Sequence, residues 1–470
     1  MIREESKAAA LRGYLGDRAF DEYAVLAVEH LAPGDLPNVL FVPGVMDSLL
    51  DNLQKAGVWW IDVRARQHLN GLALNPAGDA DQDPSDQIRA FNVDISYEPF
   101  LTELTRTRGI GHRMFPYDWR KDLSRSSAAL VEAVNDMRQR NGGQPVNLVG
   151  HSMGGLMIRT ALRDHPELWD LIDKVVFIGT PHYGSPAITT YLKNHFWGFD
   201  AFVVLGLYLS RPTLRSMWGV LEMLPAPFGV YPGTRPGESW LDEDGHPGHP
   251  TANFDQYKVD DYKLDDLEGD PLGQATRLQS ILDHAAANHA SLAAAHDALS
   301  HQQRQRMLTI AGVGEKTVFR LEYTKGFFGH WERAKKVTSE IDDDPHRVGD
   351  GRVPLASATL PDVAMRYVKG VHGNLTNIPA VIHDVLAFLR GKSLSLPATP
   401  GEALAEHLAA GDRPLAPGLN GSSLYSTAPE GHVADADLWN ESPPAQQRID
   451  EIIGLLDADK LPEFRAIRML

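Results

Sequence analysis

The chain contains no cysteine among its 470 residues. Disulfide bonds, thiolate metal sites and cysteine nucleophiles are therefore excluded within it by composition alone. No segment reaches the apolar length that spans a bilayer, and residues 1–13 mix charged side chains with alanine instead of forming the apolar stretch of a secretory signal. We therefore predict a cytoplasmic location.

The chain has fewer positively than negatively charged residues. The 45 Lys and Arg residues are outnumbered by 62 Asp and Glu residues, which gives a net charge of -17. Because no basic block compensates locally, this composition argues against binding to nucleic acid and predicts repulsion from a strongly anionic membrane surface. Hydrophobic residues make up 43% of the chain and charged residues 23%, the balance of a globular protein with a sizeable core.

Patterns of metal ligands are also missing. The central histidines His246, His249 and His284 do not follow the spacing of a metal-binding motif. We predict that they lie on a solvated surface. We also predict that the protein uses neither a metal ion nor another cofactor.

Much of the sequence alternates predicted strands and helices, the pattern of a parallel sheet covered by helices. The apolar run NVLFV at residues 38–42 ends at Pro43-Gly44, as a buried parallel strand would. Further strands are predicted at 111–115, 146–149, 175–179, 307–313 and 365–368, and helices at 126–140, 152–162 and 374–390.

The alternation breaks off in the middle of the chain, where large apolar residues and then an acidic patch follow. We interpret this stretch as a cap or lid inserted over the carboxyl edge of the sheet. After residue 391, Pro, Gly, Ala and Ser dominate up to residue 446 and predict an irregular segment, before helical spacing returns at 448–456. The predicted divisions are an N-terminal extension (1–36), a core (37–184 and 304–391), the cap (185–303) and a C-terminal extension (392–470).

Residues 150–154 read GHSMG, which matches the G-x-S-x-G pattern of a nucleophile elbow. The motif lies between an apolar strand and a helical pattern, the context that an elbow requires. Its glycines let the backbone turn sharply and lift the Ser152 hydroxyl clear of the sheet, at a helix N-terminus that favours negative charge. The alternative is an ordinary glycine-rich turn, but the context favours an α/β-hydrolase fold with Ser152 as nucleophile.

A serine hydroxyl needs a base, and in this fold an acid and then a histidine follow the serine along the chain. Asp350 lies between two glycines at a predicted strand end, and His372 lies between the last strand and the last helix. We predict that both complete a triad with Ser152. Alternatively, Asp350 is a turn residue and the acid is Asp343 or Asp344, and His372 is an ordinary loop histidine.

The tetrahedral intermediate of acyl transfer needs two backbone N–H donors. In this fold one comes from the residue after the nucleophile, here Met153, and the other from the loop after the first strand, where Val45 is the candidate. For Val45, a plain turn that ends the strand is the alternative.

Together with these motifs, several segments resemble the lecithin:cholesterol acyltransferase family, which includes lysosomal-type phospholipases. They run in family order from about residue 38 to 391: VPG (42–44), VWW (58–60), PYDWR (116–120), GHSMGG (150–155), GTPHYGS (179–185), GDGRVP (349–354) and HGNL (372–375). The resemblance implies hydrolysis or transfer of an acyl group from a lipid ester through an acyl-serine. It also implies that Val45 and Met153 supply the oxyanion donors.

The resemblance has limits and local consequences. Trp59 and Trp60 are candidates for the family's tryptophan-bearing substrate loop, with a place in the core as the alternative. We expect Asp118 and Arg120 of PYDWR to be structural, pairing with the first loop. The family's disulfides cannot form here, and Asp47 replaces a residue of the family's glycine-rich first loop.

Three functions remain open from the sequence. A lipid acyl hydrolase or transacylase is favoured by the apolar cap, because an acyl chain needs a dry groove. Phe199 and Phe202 are candidates for lining that groove or for a shallow contact with a lipid surface, and burial in the cap's own core is the alternative. The other functions are a carboxylesterase for a smaller or polymeric ester or lactone, and a binding module without catalysis.

Overall fold

The computed structural model describes residues 38–55, 58–60, 63–107, 110–193, 209–238, 249–251, 254–262, 264, 267, 269–325, 331–339 and 349–410. The strands are β1 (Asn38–Val42), β2 (Ser48–Asn52), β3 (Val58–Trp60), β4 (Ile88–Val93), β5 (His112–Met114), β6 (Val146–His151), β7 (Ile172–Ile178), β8 (Met307–Val313), β9 (Thr317–Lys325), β10 (Trp331–Ser339) and β11 (Ala364–Lys369). The α-helices are α1 (Glu98–Arg106), α2 (Ser124–Arg140), α3 (Met153–Asp164), α4 (Pro186–Lys193), α5 (Arg211–Arg215), α6 (Trp218–Leu221), α7 (Val259–Tyr262), α8 (Pro271–Asp297), α9 (His301–Gln305), α10 (Leu355–Ala358), α11 (Pro379–Leu389) and α12 (Pro400–Ala410). Turns of 3-10 helix lie at Val63–Leu72, Ile95–Tyr97, Pro166–Asp170 and His372–Asn377.

Six strands form a parallel central sheet in the order β11-β8-β7-β6-β1-β5. Strand β1 shows why both faces are covered. Leu40 and Val42 belong to one hydrophobic cluster with residues of α2 and α3, whereas Val39 and Phe41 belong to another with residues of α1 and α11. Since side chains alternate across a strand, this all-apolar segment needs helices on both sides. The predicted fold, a mostly parallel sheet flanked by helices, is confirmed.

The order of the strands creates a switch point between β1 and β6. From β1 the chain continues to β5 on one side, and the next sheet strand, β6, pairs on the other side. At such a point the loops that leave the two strands diverge and open a crevice at the carboxyl edge of the sheet. The loop that carries Val45 follows β1, and Ser152 follows β6 directly. Both predicted features therefore lie at the crevice.

Other elements surround this core. Strands β3, β2 and β4 form a small antiparallel sheet, and β9 pairs with β10 in an antiparallel hairpin. The longest described helix, α8, begins after an Asp270 cap and with Pro271 in its first turn, where the missing N–H of proline costs nothing. The predicted strands at 38–42 and 307–313 are confirmed to the residue. The domain divisions, the cap among them, stay predictions.

The sequence predicted a single helix over residues 374–390, and this was wrong. A 3-10 turn at His372–Asn377 comes first, and Ile378 is extended with ψ 121° before α11 begins at Pro379. Proline disfavours a helical conformation in the residue before it, which separates the two elements.

The tail that was predicted as irregular contains α12. Thr399 and Glu402 bond reciprocally at its start, with Glu402 N donating to Thr399 Oγ1 at 3.3 Å and Thr399 N to Glu402 Oε2 at 3.2 Å. This is a capping box, a signal that is visible in the sequence. Ala403 and Leu404 pack into a cluster with β8 and β11 residues. The predicted helix at 448–456 lies outside the described residues.

In the part of the chain that the structure describes, none of the helices combines the length and apolar character needed to cross a membrane.

Candidate active site

Ser152 occupies a strained turn between β6 and α3. Its backbone has φ 51° and ψ -126°, a left-handed conformation that residues other than glycine rarely adopt. The flanking glycines make the turn possible. A Cβ on Gly154 would lie 2.2 Å from the oxygen of Val42, and one on Gly150 would lie 2.7 Å from the backbone N of Gly155. The segment therefore has the geometry of a nucleophile elbow.

The three predicted triad residues meet at this turn. His372 Nε2 lies 2.9 Å from Ser152 Oγ, and His372 Nδ1 lies 2.8 Å from Asp350 Oδ2. All three side chains are buried. A carboxylate can only accept, so Nδ1 carries the proton and Nε2 is left to accept the serine proton. This arrangement suits a general base and a nucleophile.

Asp350 is held by its own loop. Its Oδ1 accepts the backbone N–H groups of Arg352 at 3.0 Å and Val353 at 2.8 Å, which leaves Oδ2 for the imidazole. Gly351 supports the turn with φ 92°. The backbone N–H of His372 also donates to the oxygen of Asp350 at 2.8 Å. Acid and base are therefore fixed to each other through both main chain and side chain.

The two predicted oxyanion donors belong to the elbow and to the first loop. Met153 is the first residue of α3, and N–H groups of a first helical turn have no partner within the helix. Val45 follows Gly44, whose Cβ position would be only 3.2 Å from Ser152 Cβ. The first loop thus packs closely against the elbow at Gly44. The assignment of Val45 and Met153 as donors stays a prediction.

The sequence analysis missed a polar network behind the triad. The Tyr97 hydroxyl is hydrogen-bonded to Asp47, lies 2.7 Å from His151 Nδ1 and accepts the N–H of Gly44 at 3.0 Å. Burial, reinforced by the Asp47 carboxylate, raises the pKa of Tyr97 well above its ordinary value, so the hydroxyl keeps its proton. The histidine beside the serine in GHSMG was the visible signal, but nothing local pointed to its partners.

Residues 108–227 match the family of lecithin:cholesterol acyltransferase. This region includes the elbow but ends before Asp350 and His372. The resemblance to the lecithin:cholesterol acyltransferase family is confirmed.

Individual relatives agree with the family match. A protein of Mus musculus described as lysosomal phospholipase A and acyltransferase is 31% identical over 200 residues, which are 40% of this chain and 46% of that protein. The protein of Rattus norvegicus with the same description is 30% identical over 229 residues, 46% of this chain and 51% of that protein. The chain therefore spans about half the length of these relatives.

A structural comparison supports the fold alone. A chain of the solved Tle4-Tli4 complex aligns with 77% of this chain and 100% of its own length, with a TM-score of 0.52 and 15% sequence identity. At that identity the likeness concerns architecture and not activity.

The family-like segment PYDWR is structural in this protein, although with different partners from those expected. The fully buried Arg120 side chain donates to Asp118 at 2.7 and 2.8 Å, to Asp81 at 2.9 Å and to the oxygen of Leu72 at 3.0 Å. Burial opposes ionisation of Asp118, but the Arg120 guanidinium outweighs it and lowers the pKa of this carboxyl. The expected pairing of Asp118 and Arg120 with the first loop was wrong, because the guanidinium points to the segment between β3 and β4.

The tryptophans of PYDWR and VWW meet in the core. Trp119 donates to the oxygen of Ser48 at 3.2 Å, and its ring contacts that of Trp60 edge to face at 5.2 Å. Trp60 is fully buried and donates to the oxygen of Met46 at 2.5 Å. Trp59 is 4% exposed and its ring stacks on that of His68 at 5.3 Å. These contacts favour the core alternative for both tryptophans, while their role towards substrate stays a prediction.

Some predicted residues cannot be placed. Phe199 and Phe202 lie outside the described residues, and so do the alternative acids Asp343 and Asp344.

The expectation of a solvated surface was wrong for His249, whereas His284 is half-buried and His246 lies outside the described residues. His249 is buried, its Nε2 donates to the oxygen of Ala226 at 2.8 Å, and burial lowers its pKa to about 4. His284 contacts two carboxylates: its Nε2 lies 2.8 Å from Glu222 Oε1 and 3.6 Å from Asp122 Oδ2. We call Asp122, Glu222 and His284 the cap cluster.

The cap cluster could hold a metal ion on the basis of its chemistry. One ligand atom from each residue lies within 4.8 Å of the others, and among the described residues this is the group with that property. However, two of its three residues have raised pKa values and therefore hold protons more tightly than usual. Burial raises the pKa of Glu222 to about 7, and the carboxylates of Asp122 and Glu222 raise the pKa of His284 to about 10. Protonated groups compete with a metal ion, since ligands must be deprotonated to bind it.

Proposed function

We propose that this protein is a serine hydrolase or acyltransferase that acts on the acyl ester of a lipid, with Ser152 as nucleophile, His372 as general base and Asp350 as the acid that orients it. The observation that carries the proposal is the continuous series of hydrogen bonds from Asp350 through His372 to Ser152, at 2.8 and 2.9 Å, on a strained elbow.

In the first half of the reaction, His372 Nε2 takes the Ser152 proton while Oγ attacks the ester carbonyl carbon. The carbonyl π electrons move to oxygen, and the N–H groups of Val45 and Met153 stabilise the resulting oxyanion. As the intermediate collapses, the bond from carbon to the leaving oxygen breaks and His372 returns the proton to the departing alcohol. An acyl-Ser152 remains.

The second half repeats these steps with a new nucleophile. Water gives a free fatty acid, and an alcohol gives a new ester. In both cases His372 takes the incoming proton and then returns a proton to Ser152. Hydrolysis and transfer therefore differ only in which acceptor reaches the acyl-serine.

A lipid substrate is supported by the family and by the relatives, which are described as phospholipase A and acyltransferase. A peripheral contact with a lipid surface is part of the proposal, and nucleic acid is not a proposed partner. The mammalian relatives are described as lysosomal, whereas the location of this protein rests on the cytoplasmic prediction from its sequence.

A series of p-nitrophenyl esters together with phospholipid vesicles, with and without a long-chain alcohol, tests the proposal. We expect kcat/KM to rise with acyl length over short esters, because each buried methylene contributes about 0.8 kcal/mol. We expect a new ester to form when the alcohol is present. A fluorophosphonate probe should label the wild type at Ser152, which shows independently that the nucleophile is active.

A profile that is highest for acetate and declines steadily would contradict the lipid substrate and favour the carboxylesterase for small esters. Replacing Phe199 or Phe202 with a polar residue should flatten the rise while sparing acetate esters, if these residues line the acyl groove. A protein that is folded, unlabelled and inactive on every ester would instead be a binding module.

A further inference from the structure

The network behind the triad connects the three segments that carry the reaction. Asp47 and Gly44 lie in the first loop with Val45, His151 directly precedes Ser152, and His151 Nε2 lies 3.1 Å from the backbone oxygen of His372. Tyr97 lies between Asp47 and His151 and also accepts the Gly44 N–H. One series of hydrogen bonds therefore links the oxyanion loop, the nucleophile and the base.

Three contacts make up this series: Asp47 to Tyr97, Tyr97 to His151, and His151 to the oxygen of His372. The His372 oxygen can only accept, so His151 must donate through Nε2. The Tyr97 hydroxyl has one proton and can fill only one of the other two contacts. A further proton must therefore be present, either on the Asp47 carboxyl or on His151 Nδ1.

Buried polar groups without partners are costly, so the network is intact only while this proton is bound. Neighbouring titratable groups have few free protons that could replace this one. The other titratable groups that face it are Tyr117, whose hydroxyl donates to the oxygen of Pro43 at 3.2 Å, and the His372 ring, whose centroid is 5.2 Å from that of His151. The Tyr117 proton is thus already used by the first loop, and the Nδ1 proton of His372 is used by Asp350.

We infer that Asp47, Tyr97 and His151 are positioning residues that share one titratable proton and so hold Val45, Ser152 and His372 in register. The inference rests on the proposed function, since it assigns a role in that reaction. These residues act through geometry that matters in the transition state, where small displacements of reacting groups reduce the rate steeply. Their loss should therefore lower kcat more than it raises KM.

A matched pair of variants separates the proton from the packing. Asp47→Asn brings its own amide protons: the side chain can donate to the Tyr97 oxygen, Tyr97 can then donate to His151 Nδ1, and all three contacts are filled at any pH. Asp47→Leu has a similar size but leaves Tyr97 without this partner. Tyr97→Phe removes the central hydroxyl and leaves Gly44, Asp47 and His151 without it.

The test is the pH dependence of kcat and KM for a p-nitrophenyl ester. For the wild type we expect kcat to fall on the alkaline side, as the shared proton is lost. Asp47→Asn should lower kcat by only about threefold at neutral pH and should lose this alkaline fall, whereas Asp47→Leu and Tyr97→Phe should lower kcat about tenfold or more at every pH, with KM nearly unchanged.

Thermal unfolding of each variant shows whether it is folded. If Tyr97→Phe does not fold, His151→Gln replaces it, since its amide can still donate to the His372 oxygen, and it too should lower kcat and lose the alkaline fall. An alkaline limb in Asp47→Asn identical to that of the wild type, or a wild-type kcat in Tyr97→Phe, would overturn the inference. Failure of the proposed function is distinguished by the wild type, which would then show neither turnover nor phosphonate labelling at Ser152.

Discussion

The protein contains two groupings of histidine and carboxylate that look alike in composition but differ in arrangement. In the triad, the two nitrogens of His372 have different partners, Asp350 on Nδ1 and Ser152 on Nε2. In the cap cluster, a single nitrogen of His284 faces both Glu222 and Asp122. A histidine beside a carboxylate is therefore not in itself a catalytic feature. What matters is whether the second nitrogen is left for a nucleophile.

Their electrostatics differ for the same reason. Asp350 receives two backbone N–H groups on the oxygen that the histidine does not use, so its negative charge is well supported. Glu222 receives one backbone N–H, from Leu123, and burial raises its pKa to about 7. The two carboxylates in turn raise the pKa of His284 to about 10. The cap cluster thus holds protons around neutral pH and is suited to joining helix α8 to the core, not to accepting a proton from a substrate.

Ser152→Ala should have the largest effect on turnover. The methyl group leaves the glycines of the elbow untouched, so the protein should fold while the nucleophile is gone. We expect kcat/KM for an ester to fall on the order of a thousandfold or more. Near-wild-type turnover by the purified variant would show that the elbow is not the active site.

Asp350→Asn should have the next largest effect. An amide in place of the carboxylate no longer holds His372 in the tautomer with its proton on Nδ1, so the imidazole cannot accept from Ser152. We expect kcat to fall by about a hundredfold or more with little change in unfolding temperature. A harmless substitution would place the acid elsewhere, with Asp343 and Asp344 as the next candidates to test.

The matching change in the cap cluster is Glu222→Leu, with Glu222→Gln as its control. The leucine leaves the buried N–H of Leu123 without its acceptor, so we expect the free energy of unfolding to fall by about 2 kcal/mol. The glutamine keeps that acceptor, so Glu222→Gln should lower the free energy of unfolding by less. Steady-state kinetics of both variants should stay within about threefold of the wild type, and a hundredfold loss of kcat in Glu222→Gln would mean that the two groupings share the chemistry.

The two groupings should also differ in how they make stability depend on pH. The folded-state pKa values of Glu222 and His284 are raised from 4.5 to about 7 and from 6.5 to about 10. A raised pKa gives stability that is complete below the unfolded-state value and is lost as the pH rises through the folded-state value. We therefore expect the free energy of unfolding to fall as the pH rises from about 4.5 to about 10.

Denaturant unfolding over this pH range measures the effect. His284→Gln removes the group with the higher pKa and should flatten the upper part of the curve. If stability rises with pH in that range and the variant shows the same curve, the cap cluster does not bind protons more tightly in the folded state than in the unfolded one.

Local patterns in the sequence were sufficient for the elements that carry the site. Apolar runs located β1 and β8 to the residue, because a strand buried on both faces requires a continuous apolar segment. The glycines of GHSMGG predicted the turn at Ser152, because each of them occupies space in which a side chain would clash. The wrong prediction of one helix over residues 374–390 also concerned a local pattern, since Pro379 marks the start of α11.

Contacts between distant segments were beyond the reach of such patterns. No pattern in the sequence indicated that Asp47, Tyr97 and His151 would meet, or that Asp122, Glu222 and His284 would. Arg120 illustrates the difficulty: PYDWR indicated a structural role, but its partner Asp81 lies 39 residues away in a segment without a recognisable pattern. Whether two polar side chains meet depends on how helices and loops pack. The periodicity of the sequence does not indicate such contacts.

Sequence alone was thus enough to predict the sheet, the turn at Ser152 and the chain order of Ser152, Asp350 and His372, because these depend on short-range requirements of backbone geometry and burial. Tertiary structure decided which histidine faces a hydroxyl and which faces two carboxylates. The hydrogen-bonding capacity of an imidazole is the same in both places. Its protonation is set by burial and by the groups that packing brings within about 4 Å, which only the folded chain specifies.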